Sequence, residues 1–244
     1  MSEVIYESKN NIAIITINRE QAKNAMNWAT VSQLHDAWQR FAASDDRVAI
    51  LTGAGPHFCA GADVRDMPDN ILMAMPNLSV PCDKPVIAAV SGYVIGAGSS
   101  LVMMSDMCVA ASDAKFIYPE AKVGAFAGLM GGFPSRMPYK AGMQWTLTGD
   151  PMSAQRAYEI GFVNALCEPG EQLDHALALA QKIALNAPLV VKALKSLAKQ
   201  TMAKGPVEKA FQNGMMLQGI RSSVGYEEGL TAIREKRNPN FTGA

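Results

Sequence analysis

KPVIAAVSGYVIGAGSSLVMMSDMCVAASDAKFIYPEAKVGAFAGLMGG, residues 84–132, brings apolar runs, small-residue turns and one acid, Glu120, into a single stretch. Val86–Val90 is a short, continuously apolar run of the kind that forms a buried strand. Gly92, Gly96 and Gly98 then break the pattern just ahead of a helix-like segment over 99–104. Small residues at such a junction let the backbone approach a ligand closely, and the first N–H groups of the following helix lack intrahelical acceptors. Those groups suit an oxyanion. The same glycines also serve plain strand–helix packing, and two familiar glycine motifs fail here. Leu101 stands where a dinucleotide fingerprint needs its third glycine, and Val102 where a nucleophile elbow around Ser100 needs its last.

Working outward, 244 residues at 49% hydrophobic content suit one large domain or a core with an appendage. Lys plus Arg and Asp plus Glu both number 22, so no net field favours nucleic acid or an anionic membrane. The opening MSEVIYESKNN is charged and lacks the apolar core of a secretory signal, and no apolar run reaches the roughly 18 residues of a membrane span. A cytoplasmic protein without nucleic-acid or membrane partners is expected. Cys59, Cys82, Cys108 and Cys167 have no C-x-x-C spacing, which points to reduced thiols and to no metal site.

Ile12–Ile17 reads as a strand, as does 48–52 ahead of the turn residues 53–56. Between them Asn27 can cap a helix whose Val31, Leu34, Ala37, Trp38 and Phe41 recur at helical spacing. Ser153 opens another helix that Gly161 ends, before a strand over 162–166. Segment 173–185 carries an apolar helical stripe, and Pro188 fits a first-turn proline. Strands alternating with helices make the class α/β. Asp106 reads as a structural acid, and Lys192, Lys195 and Lys199 as the solvated face of a helix.

FCAGADV (58–64), KPVIAAVSGYVIGAGSSL (84–101), YPEAKVG (118–124) and LTGDPMSAQRAYEIGFVNAL (147–166) resemble, in order, the signature of the crotonase family of enoyl-CoA hydratases and isomerases. The resemblance runs from TINREQAKNAMN to EGLTAIREKRNPNF. It implies a crotonase (ClpP-like) spiral of ββα units over 1–190 and a C-terminal helical trimerisation region over 191–244. By residue-to-residue match it makes the backbone N–H groups of Ala62 and Ala97 an oxyanion hole for an acyl-CoA thioester. Lys23, Ala25, Ala60 and Asp63 then lie along the coenzyme A site. Asp63 also reads, from its own position, as a tie for the following turn. Lys236 matches a lysine that reaches coenzyme A from a neighbouring subunit, with Ile233 in place of the family's aromatic. Coenzyme A enters as part of the substrate, with no tightly bound cofactor. Met67, Leu72, Met73, Met75 and Leu78 fall where relatives shape the acyl pocket, and serve equally as core. Phe211, Met215, Met216, Leu217, Ile220 and Leu230 offer a surface for a homotrimer or homohexamer.

Family hydratases hold water between two glutamates twenty residues apart; here those positions are Ser100 and Glu120. A serine hydroxyl has no useful basicity without an activating neighbour. One carboxylate suffices to move a proton between C2 and C4 of an enoyl thioester, so double-bond isomerisation by Glu120 is the leading expectation. Hydration, which the Ser and Glu pair of feruloyl-CoA hydratase-lyases also suggests, is the alternative, together with hydrolase or lyase chemistry on a specialised acyl-CoA. A non-catalytic acyl-CoA-binding role is a further one. Glu120 alone also reads as a first-turn acid on a helix opened by Pro119.

Overall fold

The computed structural model describes residues 2–124 and 128–242. β1 (Val4–Lys9) and β2 (Ile12–Ile17) form an antiparallel hairpin. Its two-residue turn, Asn10-Asn11, has φ of 53° and 60°, the left-handed pair that matches the twist of flanking strands and that asparagine tolerates. α1 (Trp28–Ala43) starts where Asn27 Oδ1 accepts the Thr30 N–H at 2.9 Å. It buries Val31, Leu34, Ala37, Trp38 and Phe41, the stripe its sequence spacing sets.

β3 (Val48–Gly53) runs parallel to β2, and β4 (Val86–Val90) parallel to β3. β5 (Tyr93–Ile95) leaves that sheet, and α2 (Ala97–Met104) returns the chain to it at β6 (Met107–Ala111). β7 (Lys115–Ile117) follows, then α3 (Glu120–Val123), α4 (Tyr139–Thr148), β8 (Met152–Ser153) and α5 (Ala154–Glu159). β9 (Ala165–Cys167) closes the main sheet, whose order is β1-β2-β3-β4-β6-β9. A smaller sheet has the order β5-β7-β8. β4–β5 and β6–β7 thus each give one strand to either sheet before a helix, the repeated ββα turn of a spiral.

The central strands are covered on both faces and read as continuous apolar runs for that reason. Ala49, Leu51, Ala88, Val90, Cys108 and Ala110 face the larger core, while Ile50, Ile87, Ala89, Val109 and Ala111 face α6 (Gln172–Ala184) through its Ala176 and Ala180. α7 (Pro188–Thr201), α8 (Pro206–Arg221) and α9 (Val224–Glu235) complete the chain. The expected division at 190/191 falls inside α7.

Three local readings need correction. α2 begins two residues before the expected Ser99, because Gly96 at φ 51° turns the chain straight into the helix. The strand expected over 162–166 is displaced to β9; Phe162 instead packs its ring against Phe116 and Trp145 at 5.7 and 5.8 Å. Lys195 is not solvated, since its Nζ donates at 2.7 Å to Asn77 Oδ1, the Lys84 carbonyl and Asp106 Oδ2. Asp106 also accepts the Val86 N–H at 2.7 Å, the structural role expected of it. In the proline-rich segment Met75 and Leu78 are buried core, Leu72 and Met73 pack on that core, and Met67 is 59% exposed.

Candidate active site

Two short backbone pairings bring distant segments together at the mouth of the spiral. Met26 N–H donates to the Gly61 carbonyl and Asp63 N–H to the Met26 carbonyl, both at 2.8 Å, forming a parallel bridge between Met26 and Ala62. In such a bridge the residue between the two bonded groups points its own N–H the other way, so Ala62 N–H is turned off the Met26 side. On the second side Cys59 bridges Val94: Cys59 N–H donates to the Tyr93 carbonyl at 3.0 Å, and Ile95 N–H to the Cys59 carbonyl at 2.9 Å. The 59–63 loop is therefore stitched to the segment before α1 and to β5 at once.

Glycine permits the approach that follows. A Cβ on Gly98 would lie 2.6 Å from the Cys59 carbonyl oxygen, and one on Gly61 would lie 3.0 Å from the Ile95 oxygen and 3.8 Å from Ala97 N. The start of α2 thus sits against the loop that carries Ala62. Neither Ala62 N–H nor Ala97 N–H has an acceptor among the described residues. The methyl group of Ala97 causes no backbone strain, as the positive φ at this turn belongs to Gly96.

Glu120 completes the cluster from the next turn of the spiral. Gly96 N–H donates to the Ile117 carbonyl at 2.8 Å, tying the β5–α2 turn to the end of β7. A Cβ on Gly96 would meet Glu120 Oε1 at 3.2 Å, so the carboxylate lies over the entry to α2. Its Oε2 is closed off and has no hydrogen-bond partner among the described residues. Burial pushes the carboxyl up from an ordinary 4.5 to about 7, offset in part by the residue's own backbone N–H. The neighbouring Tyr118 phenol is also raised, first by burial and then by the Glu120 charge.

Ser100 is 5% exposed, and its hydroxyl faces only the Gly96 carbonyl, at 3.5 Å. Among the described residues no acid or imidazole activates it. Lys23, Ala25 and Ala60 line up beside the loop: Ala60 N–H donates to the Lys23 carbonyl at 3.0 Å, and the exposed Lys23 ammonium lies 5.1 Å from the Tyr93 ring centroid. Both Asp63 oxygens are engaged within the chain, Oδ2 by Arg19 Nη1 at 3.0 Å and Oδ1 by the Arg65 N–H at 3.1 Å. The second bond is the turn tie expected of Asp63, and together they hold its carboxyl below the usual carboxylate range. Lys236 sits at the left-handed C-cap of α9, and among the described residues its side chain makes no hydrogen bond or ion pair with this cluster.

Sequence reasoning missed Arg19, Asn24 and Cys59. Asn24 is fully buried at φ 58°, and its side chain accepts the Arg19 N–H at 2.9 Å and donates to the Ala54 and His57 carbonyls at 2.8 and 2.7 Å. The only sequence signal was its place in the NREQAKNAMN stretch. A cavity of about 520 Å³ lies elsewhere, at the far end of α2 beneath α7 and α8, lined by Met103, Met104, Phe162, Lys199 and Met202.

Residues 7–244 match the family model described as Enoyl-CoA hydratase/isomerase. The chain belongs to this family, the crotonases. As a crotonase-family enzyme it acts on acyl-CoA thioesters. It is 35% identical to an (E)-benzylidenesuccinyl-CoA hydratase of Thauera aromatica, over 99% of each chain. It is 32% identical to a 2,3-dehydroadipyl-CoA hydratase of Escherichia coli (strain K12), over the whole of both. Among solved structures, an enoyl-CoA hydratase from Mycobacterium marinum matches it with a TM-score of 0.78 and 41% identity over the whole of both chains. These crotonase relatives are named as hydratases, which favours hydration over the isomerisation that the single acid first suggested.

Proposed function

We propose that the protein adds water across the double bond of a 2-enoyl-CoA thioester, or removes it from the corresponding 3-hydroxyacyl ester. The observation that carries this reading is the half-buried Glu120 carboxylate, closed off and lacking a partner at Oε2 and set against Gly96 one residue before the free Ala97 N–H. The N–H groups of Ala62 and Ala97 receive the thioester oxygen. As water oxygen bonds to C3, the C2–C3 π electrons move toward the carbonyl and charge collects on that oxygen, where two fixed donors stabilise it. Glu120 takes the proton that water loses and returns it to C2, so the elements of water are added without net proton change. Ser100 orients the water by its hydroxyl. Full-length likeness to named hydratases supports the reading.

One observation favours a second reading, double-bond isomerisation. Ser100 has only the Gly96 carbonyl as partner, and since Asp63 is engaged by Arg19, Glu120 is the one acid of this cluster not tied to an arginine among the described residues. Glu120 then takes a proton from C2 of a 3-enoyl ester and returns it at C4, with the same oxyanion hole holding the dienolate between the steps.

Lys23, Ala25 and Ala60 are assigned to coenzyme A in this proposal, with Lys236 supplied by a neighbouring subunit of a homotrimer or homohexamer built on the helices beyond residue 190. Asp63 is assigned to the chain's own framework. A paired assay on a 2-enoyl-CoA and a 3-enoyl-CoA, followed by mass spectrometry, tests the chemistry. Gain of one water on the 2-enoyl ester is expected. A shifted double bond at unchanged mass, with no water added to the 2-enoyl ester, replaces hydration by isomerisation.

A further inference from the structure

The ion pair beside the Ala62 donor has no part in the chemistry written above. Arg19 lies just beyond β2, and its side chain is only 13% exposed. Its Nη1 donates both to the Ala25 carbonyl and to Asp63 Oδ2, the latter at 3.0 Å, and its Nε faces Glu3 Oε1 at 3.3 Å. Ala25 and Asp63 flank the bridge between Met26 and Ala62 on its two strands. The guanidinium therefore spans the pairing that turns the Ala62 N–H off the Met26 side.

Asn24 reinforces the same frame from the other end, holding the Arg19 N–H while its amide donates to the Ala54 and His57 carbonyls. Charge adds a second argument. Asp63 follows Ala62 directly, and a carboxylate next to an oxyanion-hole donor opposes the negative charge that develops on the thioester oxygen. The repulsion grows as water is excluded. An arginine on that carboxylate, shared with the more distant Glu3, reduces it.

We infer that Arg19 is a positioning residue for the oxyanion hole: it fixes the Ala62 loop against the 23–27 segment and neutralises Asp63 beside the donor. The inference rests on the proposed role of Ala62, and the test must separate the two. Displacing a donor by about 1 Å costs up to roughly 100-fold in rate, and losing one outright costs about 100- to 1000-fold. Arg19→Met is accordingly expected to lower kcat about 10- to 100-fold while changing KM less than about threefold.

The deciding readout is the thioester carbonyl stretch of bound butyryl-CoA, a saturated ester that has no double bond to hydrate, measured by carbon-13-edited infrared difference spectroscopy. A working oxyanion hole shifts this stretch to lower frequency. In Arg19→Met and in the milder Arg19→Gln the shift is expected to shrink, and in Arg19→Lys, which keeps the charge, most of it is expected to return. A full shift in folded Arg19→Met or Arg19→Gln overturns the role of Arg19 and leaves the hole intact. No shift in the unsubstituted protein overturns the hole itself. Should Arg19→Met fail to fold, Arg19→Gln decides by the same criterion.

Discussion

Burial of a single carboxyl group governs both the chemistry and the pH response at the scale of one residue. A glutamate held near 7 is present as carboxylate and as acid in comparable amounts at neutral pH, the condition for taking and returning a proton in one cycle. Hydration starts from the carboxylate, so kcat/KM is expected to rise with pH up to about 7 and then level off. Glu120→Gln is expected to abolish that limb and lower the rate by at least about 100-fold with the fold intact. A variant with full activity sinks the mechanism. The same shift has a stability sign. Because the folded state binds the Glu120 proton more tightly than the unfolded chain, this residue costs nothing below pH 4.5 and opposes folding increasingly as pH rises through about 7. Glu120→Gln should therefore melt higher than the unsubstituted protein at pH 8 and alike at pH 4.5; equal melting at both refutes the burial argument. Ser100→Ala separates the two reactions, since removing a water-orienting hydroxyl is expected to slow hydration about tenfold and to leave isomerisation unchanged.

α2 and the loop it leans on set the geometry at the scale of elements. Cys59 bonds β5 in both directions, and its carbonyl touches Gly98 so closely that no side chain fits between them. Gly98→Ala places a methyl 2.6 Å from that oxygen and 3.0 Å from Cys59 Cβ, so α2 must retreat from the Ala62 loop. The expected cost is about 1–3 kcal/mol, visible in denaturant melts, with a fall in kcat as the two donors separate. Unchanged stability and rate contradict the packing described. How far the elements were legible follows from the same physics. α1 could be read from spacing alone because one face of an isolated helix meets the core, and all five residues of its stripe are buried. The break after β4 could be read from Gly92, Gly96 and Gly98, but β5 within it and the start of α2 could not, because nothing in a sequence states that Gly96 takes φ 51°. Phe162 looked like strand and became core because rings from β7 and α4 close on it. Glu120, Ala62 and Ala97 were reached through a family resemblance. Arg19 and Asn24 were not, because their burial arises from pairings between segments 30 to 44 positions apart.

For the whole molecule, the unfinished surface is the C-terminal helices. α7 buries no apolar side chain and exposes Leu189, Val190, Leu194 and Leu197; α8 exposes Met216, Leu217 and Ile220, and α9 exposes Leu230 and Ile233. Apolar area on this scale is costly in water and calls for a partner, and copies of one chain meet through closed symmetry. Light scattering of the purified protein is expected to give a trimer or hexamer. Leu194→Glu with Leu197→Glu places charges on one stripe of α7 and is expected to release monomers. Lys236, the C-cap of α9, is the residue through which the proposed assembly would act on binding. If it reaches coenzyme A across an interface, Lys236→Ala in the oligomer should raise KM for acyl-CoA about tenfold with kcat little changed, the loss of one ammonium–phosphate contact. The dissociated variant should show the same rise, and adding Lys236→Ala to it should do nothing more. Effects of Lys236→Ala that persist in the monomer would place the lysine at its own subunit's site, and the assembly would then serve stability alone.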